Sequence, residues 1–392
     1  MRGNNHPHIS AGRYHSLLLD SRGQVFSFGS NKAGQLGIPD ARLSLNRGQG
    51  GLSDTKNTRS SPTQIERGIY GLIFVAISAG DVHSLLLDSL GRVFSFGGND
   101  FGQLGQGHHE SLIAPGLLEF DREVMAISAG GCHSLILTIQ GQVFSFGGNY
   151  FGQLGLRDQE ERLVPTLITR TNFGQSLPKI IALSAGRRHS LILDRQGQVF
   201  SFGANEAGQL GLGDIMNRYV PTWLETFESN TPIMILSAGS THSLFLSSPL
   251  AGGLVFGCGS NEDNQLGILD TKNLTLIPTL LEDFLDLQVM DISAGDHHSL
   301  ILSSQGQVLT FGSDKDGTLK LDRSGAGFKL LESPLIKGSS GIKESDYFHP
   351  SSVERTREVT AVSAGETHSL ILDRHGQVFS FGSMRASIQL QS

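Results

Sequence analysis

Ile9 to Gly37 reads ISAGRYHSLLLDSRGQVFSFGSNKAGQLG, and this stretch decides the fold because the chain repeats it. Its first eleven residues return as ISAGDVHSLLL at Ile77, ISAGGCHSLIL at Ile127, LSAGRRHSLIL at Leu183, LSAGSTHSLFL at Leu236, ISAGDHHSLIL at Ile292 and VSAGETHSLIL at Val362. The spacings are 68, 50, 56, 53, 56 and 70 residues, which is the period of stacked supersecondary units rather than of independent domains.

Within each unit the apolar residues alternate, as in Leu17, Leu19 and Val25, and a polar turn with glycine at Gly23 separates two such runs, which is the pattern of a β-hairpin. A Gly/Asn-rich turn follows, SNKAGQLG in the first unit, and in four units it leads into Pro-Thr and another apolar segment. Proline suits the beginning or the edge of a strand, so each unit predicts about four short strands, the last one opening at Pro-Thr. A sheet of that size cannot bury both faces alone. Seven such units are expected to stack and close into an all-β, seven-bladed β-propeller occupying residues 1–392 as a single unit.

Two stretches break the period, residues 39–61 and 315–357, and both read as surface inserts. The seventh unit lacks Gln-Leu-Gly and Pro-Thr. The alternating segment Ala386 to Leu390, ASIQL, is the candidate for its closing strand near the point where the ring joins.

Composition narrows function. A formal net charge of -7 offers no overall positive field for phosphate backbones or anionic lipid, so nucleic acid and membrane are disfavoured as partners. The N-terminal MRGNNHPHISAG enters the first repeat too soon for a signal-peptide core, the apolar runs are too short to span a bilayer, and two cysteines in no metal-type spacing suit a reducing compartment. Cytoplasm is the expected location, the nucleus being compatible with it, and a monomer is expected. No phosphate-binding glycine loop and no nucleophile elbow is present, so neither a cofactor nor bond-making catalysis is expected.

The repeat histidines His15, His83, His133, His189, His242, His298 and His368 occupy one place in every unit and would be spread around a ring, too far apart to share a metal. They read as structural, each imidazole serving backbone groups near its own Ala-Gly turn. The Phe-Ser-Phe-Gly segments read as packing between blades.

The eleven-residue pattern with the following GQVFSFG and GQLG stretches resembles the repeat of the regulator of chromosome condensation family along essentially the whole chain. The resemblance implies a seven-bladed ring. The best-known member of that family is a guanine nucleotide exchange factor for the Ran GTPase, in which the two residues between Ala-Gly and His lie on the GTPase-facing rim. Those slots hold Arg13 and Tyr14, Asp81 and Val82, Gly131 and Cys132, Arg187 and Arg188, Ser240 and Thr241, Asp296 and His297, and Glu366 and Thr367.

By the same resemblance Asp81, Asp296, His297 and Glu366 are the candidate contact residues, while Arg187 and Arg188 add a positive pair that departs from the pattern. The expected function is a protein-binding propeller that regulates a small GTPase, with a scaffold for chromatin, ubiquitin-ligase or cytoskeletal partners as the alternative. The family also holds a plant ultraviolet-B photoreceptor that uses a cluster of tryptophans. Trp223 is the only tryptophan here, so that activity has no chromophore array.

Overall fold

The computed structural model describes residues 8–39, 57–225, 227, 231–268, 273–285, 287–313 and 359–382, with the backbone of 329–330 and 387–389. They form seven four-stranded antiparallel sheets in a ring. In the first blade the strands are β1 (His8–Ala11), β2 (His15–Leu19), β3 (Val25–Ser30) and β4 (Thr58–Gln64), paired in that order. The other six blades repeat the scheme, and in every blade neighbouring strands are also consecutive in the chain.

The innermost strand of each blade ends on Ser-Ala, and the second begins at the repeat histidine. That second strand is buried along its length, because both its faces meet neighbouring blades. The alternation in the sequence becomes an alternation between junctions. Leu17 and Leu19 point into the core shared with the second blade, beside Phe74, Phe94 and Phe96, while Leu18 points the other way, onto Leu370, Leu372 and Val378 of the seventh. Each of the seven junctions has its own apolar cluster of this kind. At about 1.5–3 kcal/mol for each large apolar side chain fully withdrawn from water, these clusters supply the main drive for stacking.

The Gly-rich turns between third and fourth strands are braced by their own side chains. Asn31 accepts the Leu36 N–H on Oδ1, Gln35 accepts the Ala33 N–H on Oε1, and the Ser27 hydroxyl donates to the Leu36 carbonyl. Leu36 is thereby held fully buried, and the left-handed Gly37 lies under the ring of Phe96 in the next blade, where a Cβ would stand 2.8 Å from the ring edge.

Two expectations need correction. Pro62, Pro115, Pro165, Pro221 and Pro278 do not begin the fourth strands but lie within them; these are the outer edge strands, and the pairing slips there, so the missing N–H leaves no ladder bond unmade. The inserts at 39–61 and 315–357 fall largely outside the described residues, yet Thr58–Gln64 and Lys329–Leu330 are fourth strands that lie within or begin inside them. At Thr58–Ser61 polar composition hid the start of the strand: an exposed edge strand is chosen by its pairing partner, not by apolar alternation. Ser387–Gln389 pairs with Gln377–Phe379, so the ASIQL segment does supply the fourth strand of the last blade.

Candidate site at the mouth of the central channel

The Ser-Ala-Gly-x-x-His-Ser motif is a connector between blades. Its serine accepts the N–H of the alanine in the next blade, from Ser10 to Ala79, Ser78 to Ala129, Ser128 to Ala185, Ser184 to Ala238, Ser237 to Ala294 and Ser293 to Ala364, and then from Ser363 back to Ala11, all within 2.8–3.0 Å. Its glycine carbonyl accepts the backbone N–H of the first slot residue of the preceding blade, as Gly80 does from Arg13 at 3.1 Å.

Its histidine reaches forward. His15 Nε2 lies 2.8 Å from Ser84 Oγ, and the same contact links His83 to Ser134, His133 to Ser190, His189 to Ser243, His242 to Ser299, His298 to Ser369 and His368 to Ser16. The Ser84 hydroxyl in turn donates to the Gln35 carbonyl of the first blade. With its proton given away, Ser84 Oγ must accept from His15, so the imidazole carries its hydrogen on Nε2 and leaves Nδ1 bare. Nδ1 of all seven rings is buried without a partner. Burial therefore pushes the imidazoles down to about 3, and to about 4 at His298. The partner is the serine of the next blade, where the sequence reading pointed to backbone groups of the local turn.

This connector explains the glycine. A Cβ on Gly186 would stand 2.5 Å from the Gly239 carbonyl oxygen and 2.6 Å from Cε1 of His189, inside contact distance of both.

The connector fixes where the two slot residues go, and it sends them to different places. The first slot lines the mouth of the central channel in six blades, through Arg13, Asp81, Gly131, Arg187, Asp296 and Glu366, above a floor of Ala and Gly backbone, while Ser240 of the fifth is buried. The second slot lies on the Gly-rich turn of the preceding blade. Arg188 stacks on the Phe151 ring at 4.8 Å, and His297 places Nδ1 2.9 Å from Asp263. Arg188 and His297 are exposed on the outer rim. Of the six rim candidates, then, Asp81, Arg187, Asp296 and Glu366 share the mouth, while Arg188 and His297 stand outside it.

Arg13 is the mouth residue that the candidate set omits, and its signal was its place in the first slot. Its guanidinium binds Glu366 through two nitrogens, Nη2 to Oε1 at 2.8 Å, and reaches Asp81 at 3.6 Å; Arg187 reaches Asp81 from the other side at 3.7 Å. Burial pushes the Asp81 carboxyl up to about 7, Asp296 adding to the rise and the two arginines opposing it. Asp296 is also held above the usual carboxylate range, by burial first and the Glu366 charge second. Among the described residues, no three His, Cys, Asp or Glu side chains are placed to hold a metal ion.

With the ring, the repeated connector and the mouth described, the class is that of a propeller whose blades present one variable residue each around a channel. The chain belongs to the RCC1-like domain family, which matches residues 44–390, with the regulator of chromosome condensation repeat matching residues 8–35. It is 35% identical over 95% of its length to a bifunctional serine/threonine-protein kinase and NEDD4-like E3 ubiquitin-protein ligase of Dictyostelium discoideum, and 35% identical over 79% of its length to a probable E3 ubiquitin-protein ligase, HERC6, of Homo sapiens. It spans only 18% and 24% of those two proteins. It is 28% identical over 95% of its length to the ultraviolet-B receptor UVR8 of Arabidopsis thaliana, of which it covers 64%.

Among solved structures, yeast RCC1 (Prp20) bound to Kap60 superposes with a TM-score of 0.72 at 22% identity, over 98% of this chain and 80% of that one. Human WBSCR16 gives 0.70 at 23% identity, over 92% and 88%. These likenesses establish the fold.

Proposed function

We propose that this propeller is a partner-binding regulator whose mouth-side rim docks a small GTPase and promotes guanine nucleotide exchange. The observation that carries the reading is the gathering of five charged first-slot side chains, Arg13, Asp81, Arg187, Asp296 and Glu366, around the mouth. An exchange factor needs no nucleotide site of its own, because it works by holding the nucleotide-free form of its target more tightly than the loaded form. A surface suffices for that, and the chain is proposed to carry no bond-making chemistry. The structure of yeast Prp20p is described with its binding to Gsp1p and histones, which supports a docking role for a propeller of this kind.

The test is release of labelled GDP from a panel of small GTPases, Ran included, with and without the purified chain. Faster release from one member, reduced in the Asp81→Ala, Asp296→Ala double variant, is the expected result. Unchanged release throughout the panel removes the exchange reading.

A specific observation favours a second reading. In the kinase/ligase and HERC6 relatives the matched region is less than a quarter of a longer chain, which suits a docking module serving other domains. In that case the chain is a scaffold, partners are captured without any change in GDP release, and deletion of residues 335–350, which spares the strand at Lys329–Leu330, tests whether the second insert makes the contact.

A further inference from the structure

The charges at the mouth do not balance. Three carboxylates, Asp81, Asp296 and Glu366, face two guanidiniums, Arg13 and Arg187. Both guanidiniums are engaged elsewhere, Arg13 on Glu366 and Asp81, Arg187 on Asp81. Asp296 is the carboxylate that neither guanidinium reaches within ion-pair distance, both acting on it only from farther off. It is 9% exposed, and its Oδ2 is buried at the lining of the mouth with no hydrogen-bond partner. Its sequence neighbour His297 gives it no hydrogen bond, since that ring is turned outward onto Asp263.

A buried carboxylate oxygen without a donor costs free energy unless something supplies one. The whole mouth that it lines offers about 70 Å³, room for roughly two water molecules or one small cationic head group. A divalent metal does not fit the donor set, because no three ligating side chains converge there among the described residues. A positively charged nitrogen on a slender stem does: it would give Asp296 its missing donor and a counter-charge closer than Arg187 or Arg13 supplies, entering at the mouth, whose lining is otherwise Ala and Gly.

We propose that the mouth is a receptor for one basic side chain, lysine or arginine, that a protein partner inserts against Asp296. This rests on the reading of the mouth as a docking face and names the chemistry that the face selects.

The experiment titrates the whole chain with N-acetyl-argininamide and N-acetyl-lysinamide, with N-acetyl-citrullinamide as the neutral isostere, and follows the aspartate carboxyl carbons by NMR. A saturable shift at Asp296 with at least one basic probe and none with the citrulline compound is the expected result. Asp296→Asn should weaken that binding roughly tenfold or more, as loss of a buried charge partner does, whereas Asp263→Asn, outside the mouth, should leave it unchanged. Arg187→Gln should strengthen it, because a second carboxylate then goes without its full counter-charge. Equal shifts with the citrulline compound, or no saturable shift with either basic probe, overturn the proposal and leave the pocket to water. No GTPase enters this assay. A basic probe that binds while no GTPase responds refutes the exchange reading alone, and a GTPase that responds while no basic probe binds refutes this one alone.

Discussion

The backbone N–H of Ala11 donates to Oγ of Ser363 over 2.9 Å, joining residues 352 positions apart with the same bond that links Ser78 to Ala129. The junction that no peptide segment crosses is therefore built like the six that the chain does cross. Ser363→Ala and Ser78→Ala should each cost about 1 kcal/mol of stability, the usual worth of one such hydrogen bond, and should agree within about 0.5 kcal/mol. Urea unfolding of the two variants measures this. A much smaller loss at Ser363 would mean that the first and last blades are not in register.

Acid should unfold the ring cooperatively. Each repeat imidazole titrates near 6.5 in the unfolded chain and near 3 to 4 in the folded one. Its contribution is therefore fully present above pH 6.5 and is lost as the pH falls toward the folded value, by about 1.4 kcal/mol per pH unit once protons bind the unfolded form. Seven together give about 10 kcal/mol per unit, comparable with the whole stability of an ordinary domain. Asp81, Asp291 and Asp296, whose values are raised, act in the opposite sense but are outnumbered. Loss of folded circular dichroism between about pH 6 and pH 4 is expected; a native spectrum at pH 4 would contradict the bare, buried Nδ1 atoms.

Glycines in the connector and in exposed turns should behave differently. Gly186→Ala forces a Cβ against the Gly239 carbonyl and the His189 ring, both held by the next blade, and should cost about 3 kcal/mol or more. Gly71 has a φ of 77° with nothing near its missing Cβ, so Gly71→Ala should cost only the local backbone strain, about 1–2 kcal/mol. Thermal unfolding of the pair separates crowding from conformation.

The two thiols should report folding. Cys258 is fully buried, and burial raises its thiol well above the ordinary range; Cys132 is partly exposed and raised less. In the native protein a thiol reagent at neutral pH should modify Cys132 slowly and Cys258 not at all, and both should react in denaturant. Native labelling of Cys258 would indicate that the junction between the fourth and fifth blades opens.

Much of this architecture was legible in the residues. Seven copies of Ser-Ala-Gly-x-x-His-Ser and the alternation of Leu17, Leu18 and Leu19 were enough for blades, their number and their buried strands. What stayed hidden depends on contacts between units. The acceptor of His15 is Ser84, in the next copy, and nothing local to either residue says that they meet. Arg187 and Arg188 are adjacent and equally suited to a rim, yet only stacking sends one into the mouth and the other onto the Phe151 ring. The strand at Thr58–Gln64 was expected only from Pro62 onward, because the residues before it are polar and exposed, so that pairing with Val25–Ser30 alone defines its start.

The separation of connector from slot has a further consequence. Serine, alanine, glycine and histidine carry the repeated joining chemistry, and the first slot contributes to it through its backbone, the ion pairs of Arg13 and Arg187 being the only side-chain bridges described from that slot. Read around the channel, the slots spell Arg, Asp, Gly, Arg, Ser, Asp, Glu. Six of those letters can be rewritten while the lettering frame stays intact, Gly131 being the exception because a Cβ there would stand 2.4 Å from the Arg187 carbonyl oxygen, so divergence in what the mouth recognises need bring little drift in the scaffold that displays it.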